Sequence, residues 1–196
     1  MLRKLLVIAG IGLAMQGCAL TDATLDVGAD ATVVGRGPLS EADSVSFVIN
    51  EFEDAREDQL RVGYKKNGFG QNMGDITTAQ PVTVIVADAI SAAVLANGHT
   101  LGETGIAIDG VVTEFWVETD INFTNIEMVC NIVADLKFSD TETSSAIYSA
   151  GYSASYSDKK QMGTEKNFAE IIDGAIQALV DEFAYDEELT EALSEL

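Results

Sequence analysis

The stretch Ile126-Glu127-Met128-Val129-Cys130-Asn131-Ile132-Val133-Ala134-Asp135-Leu136-Lys137-Phe138 decides the fold. Ile126, Met128, Cys130, Ile132, Ala134 and Leu136 share one side of an extended chain, while Glu127, Asn131, Asp135 and Lys137 take the other. A period of two over that length means a strand with one buried and one wet face, the pattern of an antiparallel sheet. Residues 106–118 before it and 145–157 after it also read as strands. Short polar turns at 119–125 and 139–144 join the three as a meander.

An apolar sheet face needs a cover. Phe168, Ile171, Ile172, Ala175, Ile176, Leu179, Val180 and Phe183 form one continuous stripe at helical spacing over residues 167–185. Asn167 and Glu170 are the candidate cap pair at its start. An earlier helix is expected over 81–96, with Pro81 in its first turn and Asn97-Gly98 as its stop. It is apolar on nearly every side and so is expected to be largely buried. Val45, Phe47 and Ile49 mark a strand over 45–52. A charged turn at 54–59, a short strand at 60–64 and a glycine-rich loop at 65–74 follow. The expected fold is α/β in the α+β sense, a mainly antiparallel sheet with a three-stranded meander and two helices packed on one face.

The N-terminus carries a different signal. Arg3 and Lys4 precede eleven apolar or small residues, 5–15, and then Gln16-Gly17-Cys18. A charged start, a short apolar run and a small residue at the cut read as a secretory signal. The run is too short for a membrane-spanning helix, which needs roughly 20 residues. Met15-Gln16-Gly17-Cys18 resembles a bacterial lipobox, matching at glycine and cysteine and departing at Gln16. Cleavage after Gly17 and lipidation with palmitate at Cys18 are therefore expected. The domain plan is a signal at 1–17, a lipidated N-terminus and tether at 18–42, one globular domain at 43–186 and an acidic tail at 187–196. A flexible tether of about 24 residues would hold the domain roughly 25–30 Å off a bilayer. Residues 24–34 also admit a loose edge strand.

The formal charge is −21, and without Arg3 and Lys4 nine basic residues face thirty-two acidic ones. Such a surface repels phosphate backbones and anionic headgroups, which argues against nucleic acid and against electrostatic membrane docking. The lipid is then the link to the membrane. Lipidation of Cys18 leaves Cys130 without a disulfide partner in the chain, as a small buried hydrophobe. His99, the single histidine, follows a helix end with no ligand cluster or triad partners nearby and reads as a surface turn residue. The loop Gly68-Phe69-Gly70-Gln71-Asn72-Met73-Gly74 lacks the spacing and the lysine of a phosphate loop. The acidic runs at 181–182 and 186–188 do not follow an EF-hand pattern. No metal site, cofactor or catalytic residue is expected. Tyr148, Tyr152 and Tyr156 share a strand face with Ala150 and Ala154. Their expected role is packing beneath a helix, the alternative being a groove for a glycan or peptide.

The order of lipobox, tether, two strands, a helix ending near Ala96-Asn97-Gly98-His99, three strands and a long helix resembles the YajG-like family of Gram-negative envelope lipoproteins. The likeness is best at 85–101, at Val133-Ala134-Asp135 and at 152–176. The resemblance implies an outer-membrane-anchored, periplasm-facing lipoprotein whose domain is non-catalytic and binds no cofactor. Ala19 after Cys18 implies sorting to the outer membrane. The expected function is an accessory or partner-binding component of the cell envelope, with envelope proteins or peptidoglycan and polysaccharide as partners. The alternative is a carboxylate-based envelope hydrolase acting on glycans, since an all-Asp/Glu site needs no histidine. Candidate partner-binding residues are Phe69 and Met73, an apolar tip among glycines, and Arg56 in the neighbouring charged turn near Arg61. Aromatic and arginine side chains commonly dominate interface energy. Phe69 folded back onto the domain is the competing arrangement.

Overall fold

The computed structural model describes residues 21–28 and 36–196. Gly17, Cys18 and the rest of the expected signal lie outside the described residues. The chain runs through β1 (Ala23–Leu25), a 3-10 turn at Pro38–Glu41, β2 (Ser46–Ile49), β3 (Glu53–Asp54), β4 (Gly63–Lys66) and β5 (Asn72–Thr78). Then come α1 (Val82–Ala96), β6 (Thr100–Leu101), β7 (Ile106–Ile121), β8 (Ile126–Asp140), β9 (Ala146–Lys160), α2 (Glu165–Ala184) and α3 (Glu187–Ser194). Among the described residues nine strands form one open sheet.

The meander is as the alternation requires. β7, β8 and β9 pair antiparallel in sequence, with Val117, Cys130 and Tyr156 in one row. Met128, Cys130, Ile132, Leu136 and Phe138 are buried, and α2 covers them with Phe168, Ile171, Ile172, Ile176, Leu179 and Phe183. The Tyr/Ala face of β9 also lies beneath α2. Tyr152 packs edge-on against Phe183, and a Cβ at Gly174 would meet the Tyr156 ring at 2.5 Å. A glycine lets helix and strand approach where any other residue would hold them apart.

The sheet is mixed rather than mainly antiparallel. β2, β3 and β4 lie in succession along the free edge of β7 and run parallel to it, pairing at Phe47↔Ile106, Glu53↔Val111 and Gly63↔Val117. β1 is parallel to β5, through Ala23↔Ile76. Alternation decides which face a side chain takes but not the direction of the neighbouring strand. That is set by long connections such as the one through α1. The glycine-rich loop is smaller than expected, because residues 72–74 already belong to β5 and form a hairpin with β4.

Two segments placed outside the domain belong to its core. The stretch read as a tether contributes Ala23, Leu25 and Val27 on one side and the fully buried Leu39 on the other. Gly37 N–H donates to Asn97 Oδ1 at 3.0 Å, fixing the return of the chain. The acidic tail forms a third helix, α3, which buries Leu189 and Leu193. Its cap is Asp186, whose carboxylate accepts from Leu189 N at 2.9 Å, from Tyr152 OH at 2.6 Å and from Tyr148 OH at 3.1 Å. Burial, followed by the hydrogen bond to Asp186, pushes the Tyr148 phenol up to about 12. The cap of α2 is Thr164, accepting from Asn167 N at 3.2 Å, in place of the expected Asn167–Glu170 pair. Glu170 instead takes Lys160 Nζ at 2.8 Å. β9 is an edge of the sheet, and Glu182 Oε2 accepts the outward Ser153 N–H at 2.9 Å.

Asp186 thus serves a helix start, the buried Tyr152 phenol and the half-buried Tyr148 phenol together. Asp186→Ala is expected to cost about 2–3 kcal/mol, and Tyr148→Phe about 1 kcal/mol. Chemical denaturation of the two variants checks this, and equal losses would count against a shared carboxylate.

Candidate functional site

Arg56 is not an exposed anchor. It is 8% accessible, turned into the bend between β3 and β4. Asp54, two residues earlier, takes it bidentately, with Nε to Oδ1 at 2.9 Å and Nη2 to Oδ2 at 2.8 Å. The remaining protons go to carbonyls of Arg61 at 3.0 Å, Gln59 at 3.3 Å and Phe115 at 3.4 Å. Burial alone pushes the Asp54 carboxyl up. The hydrogen bonds from the Arg56 side chain and backbone, with its charge, outweigh that and hold it below the usual carboxylate range. Arg56 is therefore the strut of the 55–62 bend.

That bend forms one wall of an open groove of about 1050 Å³, lined by Leu60, Arg61, Tyr64, Glu114, Phe115 and Trp116. A register shift between Val112 and Glu114 turns Phe115 into the core and leaves Glu114 and Trp116 on the wet face. Tyr64 from β4 meets Trp116 edge-on, ring centroids 5.6 Å apart. The Arg61 guanidinium sits 5.2 Å over the Tyr64 ring. Its Nη1 donates to Tyr64 OH at 2.8 Å and to Asp75 at 3.2 Å, while Nε lies 3.0 Å from Asp58. Trp116 Nε1 donates to Glu118 Oε1 at 2.9 Å. The result is a half-buried aromatic pair with its polar edges already fixed, beside the 79%-exposed Leu60. Its signal in the sequence is Trp116 itself, the single tryptophan, on the polar side of an alternating strand.

Phe69 and Met73 lie apart from this groove, at the β4–β5 hairpin, and both are exposed, Phe69 to 91%. Phe69 does not fold back. Asn67 organises the turn, accepting from Phe69 N at 2.9 Å and Gln71 N at 3.1 Å. His99 is buried rather than a surface turn residue. Val45 N–H donates to its Nδ1 at 3.3 Å, so Nε2 carries the proton and donates to the Leu39 carbonyl at 3.0 Å. The imidazole ties the incoming chain to the end of α1. Cys130 is buried, and that burial pushes its thiol well above the ordinary range. Among the described residues there is no cluster of three metal-ligating side chains, and no helix is long and apolar enough to cross a membrane.

A Xanthomonas campestris protein of the family DUF330 is 11% identical and matches over 87% of this chain and 95% of its own, with a TM-score of 0.57. The chain shares that protein's fold. A minor lipoprotein from Acinetobacter baumannii matches at 11% identity over 74% of this chain and 92% of its own, with a TM-score of 0.45. A lipoprotein from Neisseria meningitidis matches at 13% identity over 71% and 97%, with a TM-score of 0.31. No family model matches the chain, and no curated protein matches it in sequence.

The strut makes a prediction about stability and pH. Arg56→Ala leaves the Asp54 carboxylate and three carbonyls without their donor and is expected to cost about 3 kcal/mol. Because the Asp54 carboxyl sits below its ordinary value, its contribution is complete above about pH 4 and is lost as the pH falls through the folded-state value. Urea titrations from pH 7 to 2 are expected to show a gap between wild type and Arg56→Ala that narrows below about pH 4. A gap that stays constant would assign the cost to packing alone.

Proposed function

We propose that this chain is an outer-membrane lipoprotein of the YajG-like kind, acylated at Cys18 after cleavage at Gly17, with a non-catalytic domain facing the periplasm. The domain acts as an accessory unit that holds an envelope protein in the groove of Arg61, Tyr64 and Trp116. The observation that carries the binding role is the groove itself. An aromatic pair with an arginine over it, rimmed by an exposed leucine, is the chemistry that commonly anchors protein interfaces. Arg61 is ion-paired with Asp58 and Asp75, and the Trp116 indole N–H is taken by Glu118, so most of the polar atoms there are held in place before a partner arrives. The anchor rests on the lipobox and the charged, apolar segment before it.

Two experiments test the reading. Cys18→Ser is expected to abolish incorporation of labelled palmitate and to release the protein from the membrane fraction. A Cys18→Ser form that is still acylated would overturn the anchor. A photocrosslinking amino acid at Leu60 is expected to give a discrete protein adduct in cells, at least about tenfold weaker when Trp116→Ala is added. An adduct unchanged by Trp116→Ala would remove the groove from partner binding.

A further inference from the structure

We propose that the end of the domain bearing Phe69 and Phe123 docks directly on the lipid bilayer, with these two side chains in the interface. Phe123 at 105% and Phe69 at 91% are the two most exposed large apolar side chains among the described residues. They occupy the tips of different hairpins, 122–125 between β7 and β8 and 67–71 between β4 and β5. The register brings the tips to one end. Gly63 of β4 pairs in parallel with Val117 of β7, which sets Lys66 level with residue 120, and Lys66 Nζ reaches the Thr119 carbonyl at 2.9 Å. Ile126 at the start of β8 faces Lys160 at the end of β9, so Met162, 61% exposed, joins the same end. Both tips are closed by hydrogen bonds, Asn67 N to Gln71 O at 3.0 Å and Asn122 N to Asn125 O at 2.9 Å. The aromatic rings are thus displayed on ordered turns.

The chain enters the fold at this same end. Ala23 pairs with Ile76, Asp75 N–H donates to Asp22 Oδ1 at 2.9 Å, and the Thr21 backbone lies so close to Gly74 that a Cβ there would come within 2.7 Å of it. Cys18 is three residues upstream of Thr21, a reach of at most about 11 Å for an extended chain. A lipid on Cys18 therefore holds this end, and no other, against the membrane, and this step rests on the lipid-anchor reading above. The five lysines at this end, Lys65, Lys66, Lys159, Lys160 and Lys166, each stand within 3.9 Å of a carboxylate, so the docking rests on the apolar side chains and the anchor rather than on charge. Aromatic side chains beside a lipid anchor are a membrane-surface chemistry.

The test uses the full chain, acylated and reconstituted in vesicles of phosphatidylethanolamine and phosphatidylglycerol at about three to one, with and without brominated acyl chains. Mass measurement of the N-terminal peptide first establishes acylation of Cys18; an unmodified Cys18 would overturn the anchor reading itself. On acylated protein, Phe69→Trp and Phe123→Trp are each expected to add emission that is blue-shifted and quenched at least about twofold by bromolipid. Trp116, six residues of strand back from the tip, is expected to stay unquenched in wild type. Unchanged melting temperatures are expected, since both sites are exposed. Water-like, unquenched emission at residues 69 and 123 in acylated protein would overturn the docking. So would a blue shift that appears without lipid and grows with protein concentration, which would assign the surface to a second copy.

Discussion

The structure depends on covering one apolar sheet face of unusual length. Strands of 15 and 16 residues run about 50 Å, whereas the 20 residues of α2 span about 30 Å. A single helix at that length leaves part of the face bare. The chain completes the cover with a second short helix, α3, and with Tyr148 and Tyr152 laid against it. Asp186 is the joint where the two helices and the two phenols meet. On the far side of α2, α1 adds Val82, Val86, Ile90 and Val94 to the same core.

The same constraint explains which readings of the sequence carried through. The alternation over residues 126–138 and the stripe over 167–185 are long, regular patterns, and both elements formed where those patterns lie. Each is dictated by burial on one side, which leaves a period in the sequence. The parallel strands along β7 left none, because β2, β3 and β4 are two to four residues long and pairing direction has no periodic trace. Leu39, Leu189 and Leu193 leave no pattern for a related reason. Each is an apolar residue set among acidic or small neighbours, and the core reaches out to it from elements distant in sequence.

The candidate site was legible in composition more than in place. The charged turn with Arg56 and Arg61 stands out in the sequence as rare positive charge, and the bend there does build the groove. Their roles divide by geometry. Asp54 stands two residues before Arg56 and captures it, which frees Arg61 to lie over Tyr64. The place of Trp116 is not legible in the alternation, because its strand alternates around a register shift at residue 113 that only the pairing with β8 reveals. The burial of His99 has no local trace in the sequence, because both of its hydrogen-bond partners, Val45 and Leu39, are more than fifty residues away.

The carboxylate of Glu182 on the Ser153 amide bears on how these molecules meet one another. A long outer strand with a face of serine and glycine offers its backbone as a template for another strand. Glu182 reaches across from α2 and occupies one of those amides near the middle of β9, putting negative charge where an incoming carbonyl would have to bind. Lys159 and Lys160 stand at one end of the same strand. Copies crowded side by side on a surface are thereby kept from zipping together through this edge.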